Sequence, residues 1–188
     1  MEISETDLPG VVRLTPRRFG DARGWFSETW NARTLGGLGI DTPFVQDNQS
    51  FSAQKGTLRG LHYQAPPHAQ AKLVRCLSGA ILDVAVDVRV GSPTYGQWTG
   101  VELTAEGGEQ LLIPEGFIHA FLTLTPDCHV AYKCSDYYAP EADGAVRWDS
   151  AGIDWGMAGR VEAPILSDKD AAAPALADWA SPFAMEPT

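Results

Sequence analysis

Apolar and polar residues alternate along much of this chain, in short runs that restart every ten residues or so. The alternation is clearest at Leu82, Val84, Val86 and Val88, with Ile81, Asp83, Ala85 and Asp87 on the opposite phase. A period of two places successive side chains on opposite faces, which is the pattern of a β-strand. Similar β-rich runs occupy 11–15, 25–30, 44–51, 56–64, 71–77, 80–89, 96–104, 109–113, 119–124 and 129–138. Nineteen glycines and thirteen prolines punctuate them, so turns are frequent. Ser78-Gly79 reads as a hairpin turn between two of these runs. Helical periodicity is weak and predicts only short helices, near 31–38 and 171–179. Many short strands with few helices predict an all-β antiparallel sandwich or barrel, a fold that can hold one small ligand inside.

A chain of 188 residues, 44% hydrophobic and 20% charged, has the size and composition of one globular domain. No apolar run approaches the roughly 20 residues of a membrane helix, so no membrane partner is expected. The acidic start MEISETDLPG does not read as a secretory signal. Cys76, Cys128 and Cys134 are an odd number without metal-like pairing, and read as reduced thiols of a cytoplasmic protein. The net charge of −10 argues against binding a nucleic-acid backbone. That charge is uneven: residues 1–89 carry ten Lys/Arg and nine Asp/Glu, whereas residues 90–188 carry four and fifteen. Cations for an anionic ligand therefore lie mostly in the first half.

Four histidines are present: His62, His68, His119 and His129. The segment Pro114-Glu115-Gly116-Phe117-Ile118-His119 has the form P-x-G-x-x-H, which resembles the second motif of the cupins. The H-x-H of their first motif is absent, so a metal site is incomplete and none is expected. Arg59 and His62 lie three apart in a strand-like run. An arginine suits a phosphate or carboxylate, and a histidine suits proton transfer near neutral pH. Strict alternation would put them on opposite faces; to reach one pocket they need a bulge near Gly60. Lys72 stands among apolar residues and requires a partner or a ligand, with Asp83 on the next strand as the candidate.

Eight segments in order give the chain a closer likeness. They are Phe19-Gly20-Asp21-Ala22-Arg23-Gly24-Trp25-Phe26, Val45-Gln46-Asp47-Asn48-Gln49-Ser50, Leu58-Arg59-Gly60-Leu61-His62-Tyr63-Gln64 and Lys72-Leu73-Val74-Arg75. Asp83-Val84-Ala85-Val86-Asp87-Val88-Arg89, Ser92-Pro93-Thr94-Tyr95-Gly96-Gln97-Trp98, Ile113-Pro114-Glu115-Gly116-Phe117-Ile118-His119 and Leu166-Ser167-Asp168-Lys169-Asp170 follow. Together, over about residues 8–178, they resemble the dTDP-4-dehydrorhamnose 3,5-epimerase family. The resemblance implies a cupin-like jelly-roll β-barrel or sandwich with a few short helices. It further implies a single domain over 1–188, with an N-terminal strand segment and a C-terminal segment folded back on the barrel. A homodimer, no metal and no organic cofactor are also implied. The implied substrate is dTDP-4-dehydro-6-deoxy-D-glucose.

Inverting the two carbons beside a ketone needs a base on one face, a stabiliser for the enolate oxygen and an acid on the other face. By the resemblance, His62 is the base and Asp170 its carboxylate partner, with Asp168 ranked second. Lys72 would stabilise the enolate, and Tyr132 would deliver the proton on the second face. A phenol of pKa about 10 is protonated at neutral pH and suits that role. His119 would line the same pocket. Arg59 and Arg23 are the phosphate candidates, and Gln46 and Asn48 could add neutral hydrogen bonds. Phe19, Glu28 and Tyr138 match thymidine-contacting positions, some supplied by the partner subunit. Trp25, Trp98 and Trp148 are expected to pack rather than touch ligand. Gln49, Ile118 and Ala120 depart from the family pattern, where His, Ala and Gly are expected. They leave open inversion at C3 or C5 alone, or ketoisomerisation of a related nucleotide sugar. A metal-dependent cupin and a non-catalytic sugar-binding module are the more remote alternatives.

Overall fold

The computed structural model describes residues 1–156 and 163–185. In chain order its strands are β1 (Glu2–Glu5), β2 (Val12–Thr15), β3 (Arg18–Asp21), β4 (Gly24–Ser27), β5 (Gln46–Ser52), β6 (Leu58–Gln64) and β7 (Lys72–Ser78). They continue with β8 (Ala80–Asp87), β9 (Trp98–Thr104), β10 (Gln110–Ile113), β11 (Phe117–Thr123), β12 (Cys128–Cys134) and β13 (Asp143–Ala145). Helix α1 (Ala32–Gly36) follows β4, and α2 (Asp168–Ala171) lies near the C-terminus.

Two antiparallel sheets form the body: β1-β2-β10-β7-β12-β5 and β13-β6-β11-β8-β9. The fold is an all-β, cupin-like jelly roll with short helices. The strands β3 and β4 form a separate hairpin. The alternation in β8 separates two apolar clusters. Ile81 and Ala85 face inward between the sheets with Val74, Phe117, Phe121 and Val130. Leu82, Val84, Val86 and Val88 face outward with Leu58, Leu61, Ile118 and Ala120. Each fully buried Leu, Val or Ile contributes about 1.5–3 kcal/mol by leaving water.

The outward cluster is covered by the C-terminal part of the chain. Trp148, Trp155, Leu166, Trp179 and Phe183 pack on it. Leu58 N donates to Ile165 O at 3.0 Å, and Ile165 N to Gly56 O at 2.8 Å. The indole of Trp179 donates to the Tyr63 hydroxyl at 2.8 Å. A third cluster, Leu14, Leu35, Leu73 and Leu112, lies on the other sheet, with Leu35 supplied by α1. That helix starts where the Asn31 side chain accepts from the backbone N–H groups of Arg33 and Thr34.

Several expectations change. Ser78-Gly79 is no hairpin turn, because β7 and β8 belong to different sheets and the chain crosses between them there. Gly79 has φ +79°, and a Cβ on it would lie 2.3 Å from Thr125 Oγ1, so only glycine makes this corner. The strand expected over 25–30 stops at Ser27. Residues 171–179 do not form one helix: α2 ends at Ala171, and a 3-10 turn occupies Leu176–Asp178. Pro174 between them lacks the N–H that a continuous helix needs.

Candidate active site

The site is built on β6, β7, β11 and β12. Arg59 of β6 stands opposite Phe121 of β11, and His62 opposite His119. Three steps along β6 thus match two along β11, which is a β-bulge. It brings Arg59 and His62 to the same interior face. Gly60 makes the bulge possible: its φ is +131°, and a Cβ there would lie 2.4 Å from Ala120 Cβ. Arg59, His62, Lys72, His119 and Tyr132 converge on one cavity of about 150 Å³, completed by Ser50 and Phe121.

Two histidine–carboxylate pairs stand in this wall. His62 Nε2 lies 2.6 Å from Asp170 Oδ1. With Nε2 donating to the carboxylate, Nδ1 keeps the ring's free lone pair. The Ser167 hydroxyl caps α2 by accepting from Asp170 N at 3.2 Å, which fixes the carboxylate's approach. Asp170 is buried, and burial alone would raise its pKa. The hydrogen bond and charge of His62, the Ser167 hydroxyl and the Gly60 backbone outweigh it, so the carboxyl stays below its usual range. Asp168, the second-ranked partner, is exposed.

His119 Nε2 lies 2.7 Å from Asp83 Oδ1, and both side chains are buried. Asp83 thus hydrogen-bonds His119 and also acts by charge on Lys72, the partner the sequence suggested. Burial pushes the Asp83 carboxyl up, against the pull of His119 and Lys72. Burial pushes His119 down, against the pull of Asp83. Both shifts favour uncharged forms inside the sandwich.

Lys72 opens β7 and stands in register with Cys134 of β12. Burial lowers its pKa, while Cys134, Asp83 and Asp143 act to raise it. The Tyr132 phenol is pushed up, first by burial and then by Cys134 and Asp143, with Asn48 and Arg59 opposing. It therefore holds its proton throughout the neutral range. Among the described residues no three His, Cys, Asp or Glu side chains converge as a metal ion requires.

Of the expected ligand contacts, Arg59 and His119 line this cavity, whereas Gln46, Asn48 and Tyr138 do not. Asn48 is in register with Tyr132, and its Nδ2 donates to Cys134 Sγ at 3.7 Å. Gln46 Nε2 donates to Asn48 Oδ1 at 3.1 Å, and Gln46 Oε1 accepts from Tyr138 N at 2.9 Å. The exposed Tyr138 ring reaches Asp143 Oδ2 at 3.4 Å. Arg59 is tied to β5, donating from Nε to Ser52 Oγ at 3.2 Å and from its terminal nitrogen to Phe51 O at 3.0 Å.

Arg23, Phe19 and Glu28 are not brought to this cavity within the chain. Arg23 pairs with Asp21 on the β3–β4 hairpin. The guanidinium of Arg17 lies over the exposed Phe19 ring at 4.9 Å. Glu28 accepts from Asn31 Nδ2 at 3.0 Å. Trp25 is also corrected: it is 59% exposed under Arg18, whereas Trp98 and Trp148 pack on the outward cluster.

The departures at Ile118 and Ala120 face the outward cluster, away from His119's side of β11. Gln49 is exposed and hydrogen-bonds His129 Nδ1 at 3.1 Å. None of the three lines the cavity. Ser50 and Phe121 were missed by the sequence reading. Their signal was phase, since Ser50 is two residues from Asn48 and Phe121 two from His119.

Fold and cavity define a jelly-roll protein equipped for acid–base chemistry: two histidine–carboxylate pairs, a buried ammonium and a phenol around one small chamber. The model of the family described as dTDP-4-dehydrorhamnose 3,5-epimerase matches residues 5–178. The dTDP-4-dehydrorhamnose 3,5-epimerase of Salmonella typhimurium is 49% identical over 179 residues, covering 94% of this chain and 96% of that protein. A crystal structure of the Bacillus anthracis enzyme with TDP and PPi bound superposes with a TM-score of 0.88 at 46% identity, covering 93% of this chain and 99% of the other. The Legionella pneumophila dTDP-6-deoxy-D-glucose-3,5-epimerase, in complex with dTDP-4-keto-L-rhamnose, gives the same TM-score and identity over 94% and 93% of the two chains. This chain belongs to the dTDP-4-dehydrorhamnose 3,5-epimerase family.

Proposed function

We propose that this chain inverts C3 and C5 of dTDP-4-dehydro-6-deoxy-D-glucose to give dTDP-4-dehydro-L-rhamnose, working as a single domain over 1–188. One observation carries this reading. His62 belongs to the five-stranded sheet and Tyr132 to the six-stranded sheet, and both line one cavity with Lys72. A sugar ring held between the sheets would have a base on one face and an acid on the other.

In each inversion the carbon beside the ketone gives its proton to His62, and its electron pair moves into an enolate. The negative charge collects on the C4 oxygen, where the Lys72 ammonium stabilises it. Tyr132 then returns a proton to the opposite face of the same carbon. Solvent takes the proton from His62 and restores the phenol, so no net proton is gained or lost. Asp170 orients the imidazole and stabilises its protonated form. His119 lines the sugar site.

Arg59 takes the diphosphate, with Gln46 and Asn48 adding neutral hydrogen bonds and Tyr138 stacking on the base. Arg23, Phe19 and Glu28 serve the nucleotide in a homodimer, from the partner's hairpin. The exposed Phe19, Trp25 and Phe26 support this, because a hairpin so apolar is suited to being covered. No helix among the described residues is long and apolar enough to cross a membrane. We place the enzyme in the cytoplasm, where its thiols stay reduced.

The test is incubation with dTDP-4-dehydro-6-deoxy-D-glucose in deuterium oxide, followed by NMR of the sugar protons. Deuterium at both C3 and C5 is expected. Deuterium at one carbon only would make the protein a single-site epimerase, and no exchange would remove the activity.

A further inference from the structure

We propose that Ser50 is a specificity-determining residue that hydrogen-bonds the C2 hydroxyl of the sugar, an inference that rests on the function proposed above. Among the described residues, buried side-chain oxygens without a partner are few: Ser50 Oγ, Asp83 Oδ2 and Glu109 Oε2. Of these residues only Ser50 lines the cavity that holds His62, Lys72, His119 and Tyr132. A hydroxyl kept out of water without a partner is destabilising unless something else satisfies it. Its neighbour Ser52 is already engaged, accepting from Arg59 Nε at 3.2 Å.

The position of Ser50 indicates which oxygen it meets. Across the interior of the six-stranded sheet, Lys72 stands on β7, Tyr132 on the adjacent β12 and Ser50 on the edge strand β5. Arg59 reaches that same edge from the other sheet through Ser52 and the Phe51 carbonyl. With the C4 ketone at Lys72 and the diphosphate at Arg59, the ring runs from β7 towards β5. Ser50 then falls beside the C1–C2 end. The C3 hydroxyl changes orientation when C3 inverts, so a fixed group cannot hold it before and after. The C2 hydroxyl keeps its configuration and can be held throughout. A contact equally strong in ground and transition states lowers KM without changing kcat.

The experiment compares wild type, Ser50→Ala and Ser50→Thr on dTDP-4-dehydro-6-deoxy-D-glucose and on its 2-deoxy analogue. Loss of the contact raises KM about tenfold for Ser50→Ala on the full substrate, with kcat within about twofold. Wild type shows a similar loss on the 2-deoxy analogue, and Ser50→Ala loses nothing further on it. Ser50→Thr keeps the hydroxyl and recovers most of the affinity. The thermal midpoint of unliganded Ser50→Ala does not fall, since an unpartnered hydroxyl has been removed. Unchanged KM in Ser50→Ala, or losses that multiply on the analogue, would overturn the proposal. A joint fall in kcat and thermal midpoint would make Ser50 a packing residue instead. If wild type itself fails to exchange deuterium, the reading of the site falls first and this inference falls with it.

Discussion

His62 and His119 stand directly opposite each other on adjacent strands, yet each is held by a carboxylate from a different part of the chain. His119 takes Asp83 from the neighbouring strand β8, whereas His62 takes Asp170 from helix α2, 108 residues away. The first pair is sealed in the sandwich. The second is reachable, with the His62 side chain 33% exposed. The surroundings of the two pairs are thus unequal, and of the two histidines only His62 has the solvent access that the proposed base needs.

His62→Ala removes the proposed base and leaves the Arg59 side of the cavity intact. Deuterium exchange at C3 and C5 should fall by about a thousandfold, with dTDP affinity within about twofold. Exchange rates by NMR and dTDP titration by calorimetry check this. Retained exchange would remove His62 from the role.

Tyr132→Phe keeps the ring and deletes the hydroxyl. Proton removal by His62 survives, so solvent exchange should persist while net epimerisation drops about a hundredfold. Equal loss of both rates would assign the phenol to proton removal.

Arg59→Ala deletes a cation already oriented by Ser52 and the Phe51 carbonyl. Affinity for dTDP should fall about tenfold in dilute buffer, and by less in about 0.5 M salt, where screening weakens the wild type as well. An unchanged dissociation constant would move the diphosphate elsewhere.

Gly60→Ala should damage fold and activity together. The new Cβ meets Ala120 at 2.4 Å, and the backbone must leave a φ that alanine rarely adopts. A cost of about 1–3 kcal/mol in stability is expected. Turnover should fall more steeply than that, since relaxing the bulge turns Arg59 and His62 to opposite faces. Thermal melting with wild-type activity at a matched fraction folded would contradict this.

Asp87 gives the acid limb of stability. Burial alone would raise its pKa. Three bonds from Arg89, two from its guanidinium and one from its backbone N–H, and one each from the Ser92 and Thr94 hydroxyls hold it down to about 2. The folded value lies below the ordinary 3.8, so its stabilisation is present above about pH 4 and is lost as pH falls towards 2. Asp87→Asn should cost about 1–3 kcal/mol at neutral pH and flatten the decline below pH 4. Parallel melting curves for variant and wild type between pH 5 and 2.5 would assign the acid limb to other groups.

The body of the sandwich was legible because its strands are buried differently on two faces, and period two survives in residues such as Leu82 to Val88. The strands β1, β3 and β13 were not legible. Glu2–Glu5 is a polar edge, and Asp143–Ala145 contains no strand-forming side chain. The need for a bulge at Gly60 could be stated from chemistry alone, since Arg59 and His62 could share a pocket only that way. The partner of His62 could not: nothing local to Asp170 distinguishes it from a solvated turn, and only the likeness to a family pointed there. Asp83 does act on Lys72 by charge, as the sequence suggested, but its hydrogen bond goes to His119, because strand order is not chain order. β8 lies beside β11, which carries His119, and across the sandwich from β7.

Placing the carboxylate of the His62 pair on α2 also orders events at the ribosome. The strands that wall the cavity are all synthesised by residue 134, and they can pair while the rest of the chain is still in the exit tunnel. Such a nascent barrel has the strands of its pocket, but neither the C-terminal cover of its outward face nor the carboxylate beside its imidazole. If His62 is the base proposed above, competence arrives only when Ser167 to Ala171 emerge and dock, and a chain cut short before Asp170 is expected to be inert even where its strands have paired.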